Sequence, residues 1–256
     1  MSKVTHVDML WTAGMDSTFR IVQLSKMKGV EVQPYYVVDK TRRSRDIEIS
    51  RMNAIYDILL AKEETQATIL KPILVDLDEN PTDRDIIEAH VRLLEKNRFG
   101  KQYKFLATLA KKHPGLELSI ERDEDEEYAF QKKDLVLIPK ETPIGTVHVI
   151  DKEADPDAYV VFGNFHFPIA TYTKADEIEY LKDGYMDVLN LTWHCHYPVK
   201  GEPCGYCTPC RQYIGNGLYD KIGPKGMKRY KYRAFYRIPI KIEVFFERLK
   251  SKLFKK

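Results

Sequence analysis

Four cysteines, Cys195, Cys204, Cys207 and Cys210, fall within sixteen residues at the spacing C-x8-C-x2-C-x2-C, and the first 194 residues contain none. Thiolates this close in sequence can surround one tetrahedral Zn²⁺ and leave it no open position, which is a structural arrangement rather than a catalytic one. A C-x2-C-x2-C run also serves iron–sulfur clusters, and His194 and His196 flank Cys195 as alternative ligands. The second segment with chemical content is residues 10–19, L-W-T-A-G-M-D-S-T-F. Thr12, Ala13 and Gly14 are small enough for their backbone N–H groups to approach an anion, and Ser17 adds a hydroxyl. If a helix starts there, its positive dipole end faces the same point. The composition suits a phosphate cradle and also a plain strand-to-helix turn. No G-x-x-x-x-G-K-[ST] motif is present, which argues against ordinary P-loop chemistry at a γ-phosphate.

These residues need elements to position them, and apolar strands alternate with amphipathic helices along the chain. Residues 4–11 read as a buried strand, 17–28 as a helix ended by Gly29, 30–38 as a second strand, 45–61 as a second helix and 68–77 as a third strand. This βαβαβ order predicts an α/β fold, a doubly wound and mainly parallel sheet with its ligands at the carboxyl ends of the strands. Helices at about 83–97 and 101–112 follow, then strands at 116–120 and 158–162, for a sheet of up to five strands. Residues 121–127 are almost wholly charged and suit either a solvated loop or Mg²⁺, while 134–151 suggest a short β excursion around Gly145.

The chain has 256 residues, of which 43% are hydrophobic and 31% charged, the make-up of a folded protein rather than a disordered one. No apolar run reaches the ~18 residues of a spanning helix, and the N-terminus lacks the order of a signal peptide, so the expected location is cytoplasmic. Charge is unevenly placed. Residues 221–256 carry 13 Lys and Arg against Glu243 and Glu247, whereas the remaining 28 cations face 36 carboxylates. The body is therefore acidic and the tail basic, and any polyanion contact belongs to the tail. Past Pro239, Ile242, Phe245, Phe246, Leu249 and Leu253 fall on one helical face among lysines and arginines. Such a basic amphipathic helix can pack on its own domain, lie on an anionic membrane, dock on a protein partner or touch nucleic acid. The expected organisation is a nucleotide-binding α/β domain at 1–190, a zinc-binding segment at 191–220 and the basic tail at 221–256.

Residues 12–17, T-A-G-M-D-S, resemble the S-G-G-x-D-S loop of the ATP pyrophosphatases, known as the PP-loop family. Residues 167–178, F-P-I-A-T-Y-T-K-A-D-E-I, resemble the P-x5-T-K-A-E-I segment of the 7-cyano-7-deazaguanine synthases in that family, and residues 192–211 are similar to their cysteine cluster with its C-G-x-C-x-x-C-R ending. The resemblance implies an adenine-nucleotide α-hydrolase-like fold and an ATP-dependent ligase. A substrate carboxylate attacks the α-phosphorus of ATP, ammonia or another amine displaces AMP to give an amide, and a second activation dehydrates the amide to a nitrile. By position, Thr12, Ala13, Gly14 and Ser17 would hold the phosphates, Asp16 would orient the loop or a Mg²⁺-bound water, and Lys174 would supply a cation. Catalytic roles therefore fall to Asp16, Ser17 and Lys174. Asp39, at the end of the second strand, stands where the family places nucleotide contacts, or else simply ends its strand. ATP, Mg²⁺ and Zn²⁺ are the implied cofactors, and a homo-oligomer is an open possibility.

Two departures bear on the substrate. The family's Arg-Asn pair opening an apolar helix is replaced by Lys101-Gln102, and its D-Y-S-G-Y-P-D-C-R segment gives way to the charged run that starts at Glu121. The expected acceptor is therefore a carboxylate or amide other than free 7-carboxy-7-deazaguanine. A zinc-containing module that binds a nucleotide, a nucleic acid or a partner without turnover is the alternative.

Overall fold

The computed structural model describes residues 4–96, 100–122 and 135–236. The chain forms two compact units, one of Met1–Lys40 with Glu48–Thr192 and one of Thr41–Ile47 with Trp193–Lys256. The tail helix expected beyond residue 239 and residues 123–127 of the acidic run lie outside the described residues.

In the first unit β1 (Thr5–Leu10), β2 (Val30–Val38), β3 (Thr68–Ile69), β4 (Ile73–Asp76), β5 (Leu116–Glu117) and β8 (Phe165–His166) form one sheet in the order β3-β2-β1-β5-β8, with β4 also on β2. Every pairing in it is parallel. The single third strand expected over residues 68–77 is broken into β3 and β4, which lie end to end along β2. Leu70 N–H still donates to Val32 O at 2.9 Å, but Pro72 has no N–H to offer, and the Gln33 side chain takes the Lys71 carbonyl at 3.0 Å instead. Among the described residues six strands fill five positions, and the last position is not taken by the strand expected at 158–162.

Parallel neighbours need crossovers, and helices supply them. α1 (Met15–Ser25) follows β1, α2 (Arg45–Ala61) follows β2, and α3 (Arg84–Lys96) with α4 (Tyr103–Lys112) leads to β5. Leu10, Tyr35, Leu116 and Phe165 from four strands join Ile86 and Leu93 of α3, Ala107 and Ala110 of α4, and Phe162 in one buried cluster. The alternate strand residues Val7, Met9 and Val32 are buried as well. Burial at both parities is what a sheet covered on both faces requires. The β excursion is an antiparallel hairpin, β6 (Leu137–Thr142) with β7 (Gly145–Ile150), and His148 pairs with Phe167 just beyond β8.

Residues 158–162, expected as a strand, are instead the body of α5 (Pro156–Phe162). The sequence A-Y-V-V-F favours extended structure, but the residues before it decide the matter. The Asp155 side chain accepts from the N–H groups of Asp157 and Ala158, and Pro156 occupies the first turn, where its missing N–H costs nothing. The strand begins three residues later, at Phe165.

One buried ion pair fastens the crossover to the sheet. Arg20 of α1 donates from Nε and Nη2 to the two oxygens of Glu117 in β5 at 2.8 and 2.6 Å, and the two side chains are only 7% and 2% exposed. A two-point, fully desolvated pair is expensive to break from one side, because the surviving charge is stranded in a low-dielectric site. Glu117→Ala should therefore lower the unfolding free energy by about 3–5 kcal/mol, whereas the apolar pair Arg20→Met with Glu117→Leu should recover most of that loss. Urea denaturation midpoints of the three proteins check both statements.

Candidate functional site

The sheet order makes β1 the switch point. The chain leaves β1 to build β2, β3 and β4 on one side, then returns to lay β5 and β8 on the other. A crevice opens at the carboxyl ends of β1 and β5 in such a sheet, and the loops after β1, β5 and β8 carry the candidate residues.

After β1 the backbone turns sharply. Ala13 adopts a left-handed conformation, φ 54°, which costs a residue with a Cβ roughly 1–2 kcal/mol. Gly14 then stands at the N-cap of α1 in extended conformation with no side chain capping the helix, and the first intrahelical bond runs from Thr18 N–H to Gly14 O at 3.0 Å. The N–H groups of Met15, Asp16 and Ser17 precede that bond and form the donor end of the helix. The Ser17 hydroxyl lies 3.4 Å from both Thr12 N and Gly14 O, inside the turn. Trp11, wholly buried, anchors the turn from below by donating to Thr18 Oγ1 at 3.2 Å.

After β8 the Thr173 hydroxyl accepts from Asp176 N–H, and the Asp176 carboxylate accepts from Thr173 N–H. This capping box starts α6 (Lys174–Lys182). Lys174 is thus fixed at the first helical position, and its Nζ meets three carboxylates: Asp16, Glu177 at 2.8 Å and Glu121 at 2.8 Å. The sequence-derived residues Thr12, Ala13, Gly14, Asp16, Ser17 and Lys174 are therefore gathered at one place. Asp39 directly follows β2 at the carboxyl edge and is not among the carboxylates grouped with Asp16.

Glu177 is a participant that the sequence does not single out, and Glu121 is covered only by the two readings of residues 121–127, a solvated loop or Mg²⁺. Glu121 opens that charged run, and its side chain is 24% exposed and paired with Lys174. Glu177 is completely buried, with Oε2 on Lys174 and Oε1 without a hydrogen-bond partner among the described residues. The i, i+3 spacing of Lys174 and Glu177 was the available signal. One ammonium cannot neutralise three carboxylates. Desolvation, reinforced by the charge of Asp16, pushes the Glu177 carboxyl up to about 9 against the pull of Lys174. Carboxylate oxygens of Asp16, Glu121 and Glu177 all lie within 4.8 Å of one another, a donor set suited to a hard divalent cation.

The second unit holds the cysteines, all four buried and unbridged. Their sulfur atoms lie within 4.8 Å of one another, and Cys204 Sγ is 3.8 Å from Cys210 Sγ. A tetrahedron with metal–sulfur bonds of about 2.3 Å has edges of about 3.8 Å, so the spacing fits four ligands on one ion and is far too long for a disulfide. Backbone N–H groups of Cys204, Tyr206 and Cys207 point at the sulfurs of Cys195 and Cys204 from 3.1 to 3.4 Å. His194 is not a member of this group. It stacks on Tyr213 with ring centres 4.0 Å apart, and burial lowers its pKa to about 4.

After α7 (Met186–Leu191), α8 (Thr208–Gly215) starts within the cysteine loop with Cys207 at its N-cap position, and α9 (Tyr219–Lys231), kinked at Gly223, closes over that loop. Gly205 has φ +80°, and a Cβ there would stand 2.0 Å from the Gly226 carbonyl of α9. Arg229 of α9 donates to the carbonyls of Cys204 and Pro203 at 3.1 and 2.7 Å.

No family model matches the chain, and no curated protein matches it either. Among solved structures it is similar to the U34-tRNA thiolase NcsA from Methanococcus maripaludis with its [4Fe-4S] cluster, at a TM-score of 0.45 and 12% identity over 92% of this chain and 73% of that one. Among the described residues no helix is long and apolar enough to cross a membrane.

The Glu177 geometry fixes a pH dependence. Its carboxyl titrates near 4.5 in an unstructured chain and near 9 in the fold, so the folded state holds the extra proton between those values. The stability it contributes is complete below about 4.5 and is lost as pH rises through about 9. Glu177→Gln, permanently neutral, should flatten the decline in urea midpoint between pH 6 and 9 relative to the parent protein.

Proposed function

We propose that this protein is an ATP-dependent enzyme that cleaves ATP between its α- and β-phosphates and adenylates a carboxylate or amide. The observation that carries this reading is the uncapped donor end of α1, whose first-turn residue Asp16 pairs with Lys174 and groups with Glu121 and Glu177. Such a site offers N–H groups and an ammonium to a leaving pyrophosphate and oxygen ligands to a divalent cation, without a P-loop lysine aimed at a γ-phosphate.

In the first step an acyl oxygen attacks the α-phosphorus and the bond to the bridging oxygen breaks, so that pyrophosphate leaves with the electron pair. The backbone of Thr12, Ala13 and Gly14, the first-turn N–H groups of α1 and the Ser17 hydroxyl are the groups that would hold the departing charge. Lys174 adds a full positive charge there, and Asp16, Glu121 and Glu177 orient its ammonium. The same three carboxylates would hold Mg²⁺, which supplies further charge neutralisation at the phosphates when bound. Ammonia or another amine then displaces AMP from the acyl carbon and loses a proton, giving an amide. Dehydration of such an amide to a nitrile, as in the synthases that the sequence resembles, would need a second ATP.

The acceptor in this reading is not free 7-carboxy-7-deazaguanine, because the run beginning at Glu121 stands where the synthases carry their substrate-reading segment. We assign the cysteine site to one structural Zn²⁺. The tight grouping of its sulfurs supports a single ion, since an iron–sulfur cube spreads its thiolates farther apart.

Incubation with α-labelled ATP, Mg²⁺, ammonium and a cell-extract metabolite pool should yield AMP and pyrophosphate. ADP as the nucleotide product, or ATP binding with no turnover, would overturn the enzymatic reading. Gly14→Val places a branched side chain where phosphate must approach, and should weaken ATP binding at least tenfold by calorimetry while fold and metal content persist. Metal analysis should find one zinc per chain, and its removal by a chelator should lower the melting temperature, given binding free energies of ~10–16 kcal/mol for structural zinc in small peptides. Iron with sulfide would contradict the assignment.

A further inference from the structure

The second unit carries a surface that ATP chemistry does not use. Between Tyr219 and Tyr236 the chain places Lys221, Lys225, Lys228, Arg229, Lys231 and Arg233 against the single anion Asp220. Aromatic rings are interleaved with them and turned outward: Tyr219 is 53% exposed, Tyr232 53%, Phe235 72% and Tyr236 41%. Every residue from Lys231 through α10 (Arg233–Tyr236) is exposed, and those six positions hold two cations, three aromatic rings and an alanine. Cations and rings already engage one another, with the Arg233 guanidinium 4.4 Å from the centre of the Tyr230 ring.

The mount for this surface is the cysteine loop. Tyr206, between Cys204 and Cys207, lies parallel to Tyr236 within 4°, with ring centres 5.8 Å apart. The backbone contact of Gly205 with Gly226 and the two Arg229 bonds fix α9 on the same loop. A metal that orders the loop thereby orders the rings.

We infer that α9, α10 and Tyr206 form a binding surface for single-stranded nucleic acid, with the cations on phosphates and the exposed rings stacking on unpaired bases. Charge complementarity selects a polyanion, and flat exposed rings beside a basic track select one with accessible base faces. A duplex hides those faces inside its own stack. An anionic membrane is the weaker match, because an inserting helix buries a continuous face that includes aliphatic side chains. The only outward aliphatic side chain from Lys231 to Tyr236 is Ala234.

The test measures fluorescence anisotropy of the zinc-loaded full chain with labelled twelve-residue oligouridine, oligothymidine and a duplex of equal length, and sedimentation with phosphatidylserine vesicles. Binding to one or both single strands should exceed that to duplex by at least tenfold and weaken steadily as salt rises. Tyr232→Ser with Phe235→Ser should lower single-strand affinity at least tenfold at unchanged zinc content and circular dichroism, since stacking on one ring accounts for about that factor per base. Lys228→Glu with Lys231→Glu should weaken binding and make it less salt-dependent. Equal affinity of the ring variant, equal affinity for duplex, or vesicle binding with no single-strand binding would each overturn the inference. The readout contains no ATP, so the outcome is independent of the enzymatic reading.

Discussion

The site depends on one electrostatic imbalance, the burial of one ammonium among three carboxylates. Lys174 is 16% exposed and Glu177 not at all, so at Glu177 water cannot make up the missing positive charge. The protein can tolerate the arrangement in two ways: a carboxyl keeps its proton, or a cation takes the proton's place. Both require the residues to be held together by elements that do not relax apart. Asp16 is held by the first turn of α1, Glu121 follows β5, and the other two stand on the capped start of α6. Three strand ends must therefore be adjacent, and the order β1-β5-β8 makes them so.

The ion pair between Arg20 and Glu117 is the opposite kind of interaction. It is balanced, bidentate and closed to solvent, and it leaves nothing for a ligand to complete. Its place in the structure is mechanical: it ties the helix that offers its N–H groups to the strand whose end carries Glu121. A charge-balanced contact thus fixes the frame within which a charge-unbalanced one operates.

Much of this was legible in the chain. The parallel α/β architecture followed from the alternation of apolar runs with helical periodicity, and the loop and lysine followed from T-A-G-M-D-S and T-K-A-D-E-I. What escaped was either decided just outside the segment being read or decided across the chain. A-Y-V-V-F reads as a strand because its β-branched and aromatic content is real, yet Asp155 and Pro156 upstream start a helix there. Pro72 broke a strand that apolar content alone made continuous. The run from Glu121 suited a solvated loop as well as Mg²⁺, and only proximity to Lys174 distinguishes Glu121 within it. Arg20 and Glu117 lie 97 residues apart, and no local pattern announces that two charged residues in otherwise apolar segments will meet.

That separation also shapes how the chain is made. β1 is made before the other strands of its sheet and lies at the centre of their order, yet one of its edges waits for β5. At ~5–20 residues per second on a ribosome, Arg20 precedes its partner by about 5–20 s. Throughout that interval the nascent sheet of β1 and β2 presents an open edge, with a charged side chain bound for the interior still unneutralised. Non-local parallel pairing of this sort is slow and exposed to aggregation. The half-made chain therefore carries an open edge and an unmatched charge that the finished chain does not, until residue 117 has emerged.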